Sequence, residues 1–222
     1  MKRPSEILPG LLASLPPATP EPPTTPATTT PTSKATFDAF DDYEPSLHLA
    51  KLAARTFVAA ILAHPWTAGY CLTMVGKSGN GKTMLAKIIL EAIGRNPWGQ
   101  CSAIPPTLAN GALKRFTFAI YDMRKVADDM LSGNWQLAEA MIEPAIIVID
   151  DVGADYDAKG IIAGKLDRVL RARAGKWTLL TSNLELGDIK TRMDARIASW
   201  LIRDDNRLVT FEAGDYALRK RA

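Results

Sequence analysis

Between residues 70 and 93 an apolar run, a glycine-rich octapeptide and an amphipathic run follow one another without a gap. No other feature narrows the choice of fold as far. Tyr70–Val75 is apolar enough to predict a strand, and Lys82–Ile93 carries Leu85, Ile88, Ile89 and Ala92 on one helical face, closed by Gly94. Between them Gly76-Lys77-Ser78-Gly79-Asn80-Gly81-Lys82-Thr83 matches G-x-x-x-x-G-K-[ST] in full. The glycines let the backbone curl so that successive N–H groups converge on phosphate oxygens. The helix that starts at Lys82 aims its positive dipole end at the same anion. Lys82 then serves the β- and γ-phosphates and the Thr83 hydroxyl one position on Mg²⁺, with ATP as the expected nucleotide.

The remaining pattern alternates strand and helix, as a parallel α/β domain requires. Ser46–His64 is apolar at helical spacing (Leu49, Leu52, Ala53, Phe57, Ala60, Ile61), with Ser46 as the expected N-cap. Phe116–Tyr121 predicts a strand and Asp122–Leu131 a helix. Ala145–Ile149 predicts a central strand buried on both faces, Gly160–Ala174 a helix, Trp177–Thr181 a strand and Leu208–Phe211 a last short strand. Residues 95–114 hold three prolines and two glycines and predict mostly loop. Asp188–Ile202 repeats Ile189, Met193, Ile197, Trp200 and Leu201 with helical period and predicts one core-facing helix.

Three further clusters bear on chemistry. The strand ending Ile149-Asp150-Asp151 delivers two adjacent carboxylates to the edge where open α/β sheets bind ligands. Asp150 is the expected Mg²⁺ partner, through its waters, and Asp151 the group that orients or deprotonates the attacking water. Thr181-Ser182-Asn183 ends another strand, and Asn183 is placed to put an amide between γ-phosphate and water. Arg192, Arg196 and Arg203 fall on one flank of the predicted Asp188–Ile202 helix. They form either a solvated edge or guanidinium groups presented to a neighbour's γ-phosphate, and spacing leaves both open.

Composition sets the outer limits. With 222 residues the chain buries one substantial core, predicted over residues 37–222. Nine of its 15 prolines lie between Pro4 and Pro31. Residues 16–36 therefore read as an extended Pro/Thr-rich tether that cannot offset its ordering entropy. Ahead of it Ile7, Leu8, Leu11, Leu12 and Leu15 make an apolar cluster within residues 1–15, either a partner-docking peptide or a frayed terminus. The net charge of +3 is unremarkable, but residues 160–222 hold 13 Lys/Arg against 8 Asp/Glu, a surface open to an anionic partner. Two cysteines without a CxxC pair and two histidines exclude a disulfide framework or a zinc knuckle; Cys71 reads as a small buried hydrophobe. No apolar run of membrane-spanning length stands out and the start lacks a secretory pattern, so no membrane and a cytoplasmic setting are expected.

Taken together, Gly76–Thr83, Ile147–Ala154, Leu180–Leu184 and Met193–Ile197, with the lead-in Thr36–Asp41, resemble the DnaC/IstB-type ATPases. These form the helicase-loader and transposition-helper branch of the AAA+ superfamily. The resemblance runs from about Thr36 to the end of the chain. It implies a five-stranded parallel sheet flanked by helices, ATP–Mg²⁺ between protomers of a nucleotide-dependent homo-oligomer, and Asp150 and Asp151 as the Walker B pair. It further implies Asn183 as sensor 1, Arg196 as an arginine finger acting in trans, and a helical insert, Asp122–Glu143, that approaches DNA through Arg124 and Lys125. Two partner classes follow. A helicase loader meets a replicative helicase and single-stranded DNA; a transposition helper meets a transposase and duplex DNA. A third alternative is an adaptor that binds ATP and scarcely turns it over. Asp151 stands where many AAA+ enzymes carry Glu, Trp200 where the family has a second arginine, and a short peptide on a tether where it has a folded N-terminal domain.

Overall fold

Five strands form one parallel sheet in the order β2-β3-β4-β1-β5: β1 is Cys71–Gly76, β2 Phe118–Asp122, β3 Ile146–Val152, β4 Trp177–Ser182 and β5 Arg207–Phe211. The structure, a computed structural model, describes residues 35–66, 68–94, 117–154 and 160–219. The expected docking peptide, most of the tether, Cys101 and the 95–114 loop lie outside the described residues. The pleat explains why β3 and β4 read as unbroken apolar runs. Ile147, Ile149 and Leu180 enter one core layer, and Ile146, Val148, Leu179 and Trp177 the other.

Helices α1 (Pro45–Ala63) and α2 (Lys82–Gly94) cover one face. The other is covered by α3 (Met123–Leu131), α4 (Gln136–Ala140), α5 (Ile161–Ala172), a short α6 (Leu186–Asp188) with the π turn Ile189–Met193, and α7 (Ala195–Leu201). A final turn, α8, spans Tyr216–Arg219. Gly133, at φ +97°, separates α3 from α4 within the predicted insert. Strand β2 sits at the sheet edge, and its Phe118 and Ile120 are exposed.

α1 corrects two expectations. Glu44 is the N-cap residue and Pro45 opens the helix, while Ser46 is buried inside it. Ser46 Oγ donates to the Glu44 carboxylate and accepts from the Glu212 amide at 3.0 Å. The core-facing stripe is Leu47, Ala50, Ala54, Phe57, Val58 and Ile61, whereas Leu49 and Leu52 are exposed at 61% and 56%. Both stripes are apolar at helical period, so periodicity alone selects neither. Among the described residues α1 is also the one helix long and apolar enough to cross a membrane. In this fold it lies on the sheet, with Phe57 edge-to-face against Tyr70 and Trp177 at 5.2 and 5.5 Å. Losing a buried phenyl ring of this kind costs about 3–5 kcal/mol.

The predicted Asp188–Ile202 helix is broken. Asp194 is extended (φ −158°, ψ 131°), and its carboxylate caps the restart by accepting from the Arg196 amide at 2.7 Å. Ahead of it the chain widens into the π turn, closed by the Asp194 amide on Ile189 O at 3.1 Å. Ile189, Ile197, Trp200 and Leu201 still face the core. The single helical phase that grouped the three arginines does not run through Asp194. The end of α2 differs as well: Gly94 is its last helical residue and adopts no left-handed cap.

Among the described residues the buried Arg173 has no carboxylate partner. Arg173 is fully buried, and its guanidinium donates to Met141, Ile142, Pro144, Ala145 and Trp177 carbonyls and to Thr178 Oγ1, at 2.7–3.5 Å. It ties the turn before β3 to the start of β4. Cys71 is buried as expected, and burial pushes its thiol up to about 12.

Candidate functional site

The loop Gly76–Thr83 leaves β1 and enters α2, as its sequence requires. Gly76 has φ +138°, and a Cβ there would lie 2.3 Å from Phe211 O, so only glycine lets β5 approach the loop. Asn80 is buried; its amide donates to Phe211 O at 3.1 Å and its Oδ1 accepts from Lys82. Lys82 Nζ is folded back into the loop, donating to Gly76 O at 2.7 Å, Lys77 O at 2.6 Å and Asn80 Oδ1 at 3.0 Å. Burial lowers its pKa to about 8, against the pull of Asp151 and Asp150.

Opposite the loop, β3 and β4 present their C-terminal ends. Thr83 Oγ1 donates to Asp150 Oδ1 at 3.1 Å, and the Thr181 hydroxyl donates to the same oxygen. Thr181 also accepts the Asp151 amide at 3.0 Å, so one hydroxyl positions both acids. The β3–β4 register shifts between Ile149 and Val152, and Asp151 takes φ +60°, a left-handed conformation that Asp tolerates better than most residues. This turn carries its carboxylate towards Asn183 and α3. Asp151 Oδ1 accepts from Asn183 Nδ2 at 2.9 Å, and Oδ2 from Arg124 Nη2 at 2.8 Å.

A cavity of about 560 Å³ joins these groups. Ser78–Thr83, Arg124, Asp151 and Asn183 line its phosphate-loop end. Phe40, Asp41, Tyr43, Leu47, Asp215 and Tyr216 line the cavity as well, and the sequence motifs do not assign these; only the lead-in Thr36–Asp41 hinted at them. Arg196 lies outside this cavity. It is exposed and chelated by Asp194, with Nη2–Oδ2 at 2.7 Å and Nε 3.1 Å from both oxygens, which holds the Asp194 carboxyl down at about 2. Arg192 instead lines a second depression between α3 and the π turn.

The residues suit a magnesium triphosphate. Glycine backbone shapes a loop around an ammonium group, while Thr83 and Asp150 offer hard oxygen donors side by side, the type Mg²⁺ prefers.

The fold and site define an α/β domain of the P-loop type, a five-stranded parallel sheet flanked by helices with a glycine-rich loop between β1 and α2. Among solved structures, the DnaC helicase loader aligns with a TM-score of 0.60 at 22% identity, covering 80% of this chain and 97% of that one. DnaI aligns at 0.62 and 17% identity, covering 82% and 90%. The replication initiator DnaA bound to AMPPCP and single-stranded DNA aligns at 0.59 and 13%, over 82% of this chain and 51% of that one. No protein-family model and no curated protein matches the chain. At these identities the likeness establishes the fold, and with it the architecture expected from the motifs.

Proposed function

We propose that this chain binds ATP with Mg²⁺, hydrolyses it slowly, and acts as a DnaC-like helicase loader or DNA replication accessory ATPase. The observation that carries the reading is the convergence of Lys82, Thr83, Asp151 and Asn183 on one cleft, with Asp150 hydrogen-bonded to Thr83 at its edge. The backbone of residues 76–83 would wrap the phosphates, and Lys82 would turn from its loop carbonyls to the β- and γ-oxygens. Thr83 and Asp150 would hold Mg²⁺, which neutralises charge on the phosphates. Asp151, oriented by Asn183, would take the proton of the attacking water. Arg196 would leave Asp194 to reach the γ-phosphate of a neighbouring copy in a nucleotide-dependent oligomer.

The wider role rests on the structural likeness to a helicase loader and to an initiator seen with single-stranded DNA. Residues 1–15, on the 16–36 tether, would engage a replicative helicase, and Lys125 would face DNA, whereas the Arg124 expected beside it is held at the nucleotide cleft by Asp151. Titration calorimetry tests the core: Mg²⁺-dependent ATP binding that Lys82→Ala abolishes. Helicase binding by the full chain and by a form lacking residues 1–35 tests the partner; equal binding by both sinks the docking role. One observation favours the second reading, an adaptor with little turnover: the Arg124–Asp151 ion pair occupies the acid that hydrolysis needs.

A further inference from the structure

Between Ile149 and Val152 strands β3 and β4 fall out of step. Ile149 pairs with Leu180 and Val152 with Ser182, so Asp150 and Asp151 together face the one residue between those partners, Thr181. Two residues against one make a β-bulge, a device that re-aims side chains beside functional sites. Thr181 and Ser182 are both fully buried, and their hydroxyls bridge the mismatch. Thr181 Oγ1 donates to Asp150 Oδ1 and accepts from the Asp151 amide at 3.0 Å. Ser182 Oγ donates to Val152 O at 2.7 Å and accepts from the Leu184 amide at 3.0 Å, where the paired register resumes. Asp150 Oδ1 also receives Thr83 Oγ1 from α2, at 3.1 Å. Thr181 is thus bonded at once to the acid beside Thr83 and to the backbone of the acid beside Asn183.

The bulge sets Asp151 at φ +60°, and from there its carboxylate meets Asn183 and Arg124. A left-handed turn at a residue with a side chain persists when its surroundings hold it, and here the Asp151 amide is held by Thr181. Residue 181 has to accept from one acid and donate to the other through a single atom. A hydroxyl can do both; an alkyl group can do neither. We infer that Thr181 is a positioning residue for hydrolysis, whose hydroxyl fixes the bulge that aims Asp151 and ties that aim to Asp150. The inference rests on the nucleotide reading above and adds to it a division of labour: Lys82 and Thr83 serve binding, while Thr181, buried behind them, governs the rate.

The test takes the full chain with Mg²⁺ and reads ATP affinity by calorimetry and turnover by phosphate release. Thr181→Val keeps the shape of the side chain and removes both hydrogen bonds. It is expected to cut turnover at least about tenfold, since a small misplacement of a reacting group is that costly, and to leave ATP affinity within about threefold. Thr181→Ser keeps the hydroxyl and should recover most of the rate. Thr181→Cys, with a weak donor and acceptor in its place, should fall between. Ser182→Ala removes the neighbouring hydroxyl, which bonds to neither acid, and gauges by thermal melting what such a bridge is worth to stability alone. A rate loss in Thr181→Val no larger than in Ser182→Ala, an ATP affinity that falls as far as the rate, or a serine variant as slow as the valine one overturns the positioning role and leaves the nucleotide site standing. Should the valine variant fail to melt cooperatively, serine against cysteine carries the comparison, and equal rates in those two overturn the role. Wild-type protein that binds Mg²⁺ and ATP but releases no phosphate overturns hydrolysis and this role with it; wild-type protein that binds no ATP overturns the nucleotide reading itself.

Discussion

Arg124 donates to Asp151 across the mouth of the cleft, at 2.8 Å, on a carboxylate whose other oxygen is taken by Asn183. With both oxygens engaged, the carboxylate has to release one donor before it can meet an attacking water. Arg124→Ala should therefore raise steady-state ATP turnover by about threefold, roughly 0.7 kcal/mol of barrier, with ATP affinity little changed. Phosphate release at saturating ATP reads this directly. A fall in rate would mean that the guanidinium serves the nucleotide instead.

Asp151 itself sits in left-handed backbone. Asn tolerates that conformation, so Asp151→Asn should melt close to wild type while turnover falls at least about tenfold through loss of the base. Asp151→Glu lengthens the side chain, and Glu is less at home at positive φ. It should lower unfolding stability by about 1 kcal/mol in urea and fail to raise the rate.

Lys82 gives a pH signature. Burial holds its folded-state pKa at about 8, below the ordinary 10.5. Between those values the unfolded chain binds the extra proton, so this group makes the nucleotide-free protein more stable as pH rises through the window. The cost of the buried charge is fully present below about pH 8. A triphosphate reverses the preference by favouring the ammonium form. ATP binding above about pH 8 should therefore take up a proton and weaken as pH climbs. Calorimetry in buffers of different ionisation enthalpy measures that uptake.

Asp194 both caps α7 and holds Arg196. Asp194→Ala should cost about 1 kcal/mol of stability, the usual worth of a lost N-cap, and release Arg196. Arg196→Ala should leave ATP affinity of the isolated chain unchanged. If the arginine acts on a neighbour, it should cut turnover of the assembled form about a hundredfold or more. Adding Lys82→Ala protein, which still carries Arg196, should then restore part of the rate to Arg196→Ala sites. No restoration in the mixture would rule out action in trans.

The sheet and the phosphate loop were legible because each rests on a strictly local pattern. Ile146–Ile149 is a strand in any context, and Gly76–Thr83 has its glycines where positive φ is needed. The break at Asp194 was hidden by the helical repeat of Ile189, Ile197 and Leu201, which survives a π turn because the widened turn and the extended residue together restore the phase. The choice of face on α1 depended on what lay beneath it, and an apolar Leu49 looks no different from an apolar Leu47. Asp150, Asp151 and Asn183 could be named from strand ends, but the shared Thr181 hydroxyl and the Arg124 contact join residues about 30 positions apart. Spacing along the chain carries no trace of such pairings. The part Asp215 and Tyr216 take in lining the cleft was invisible for the same reason.

Arg173, in the turn ahead of β4, draws its carbonyl acceptors from the turn that precedes β3 and from Trp177, the first residue of β4, at the strand ends remote from Lys82. Removing it strands five carbonyls at once, so Arg173→Ala should cost at least about 3 kcal/mol in urea unfolding. Its wider meaning is kinetic. Amides in the two turns should exchange with deuterium at a common rate, since neither turn can open while the other keeps the guanidinium. Nucleotide, which docks at the far edge of the sheet, should slow exchange around Gly79 and Tyr216 and leave that shared rate where it was.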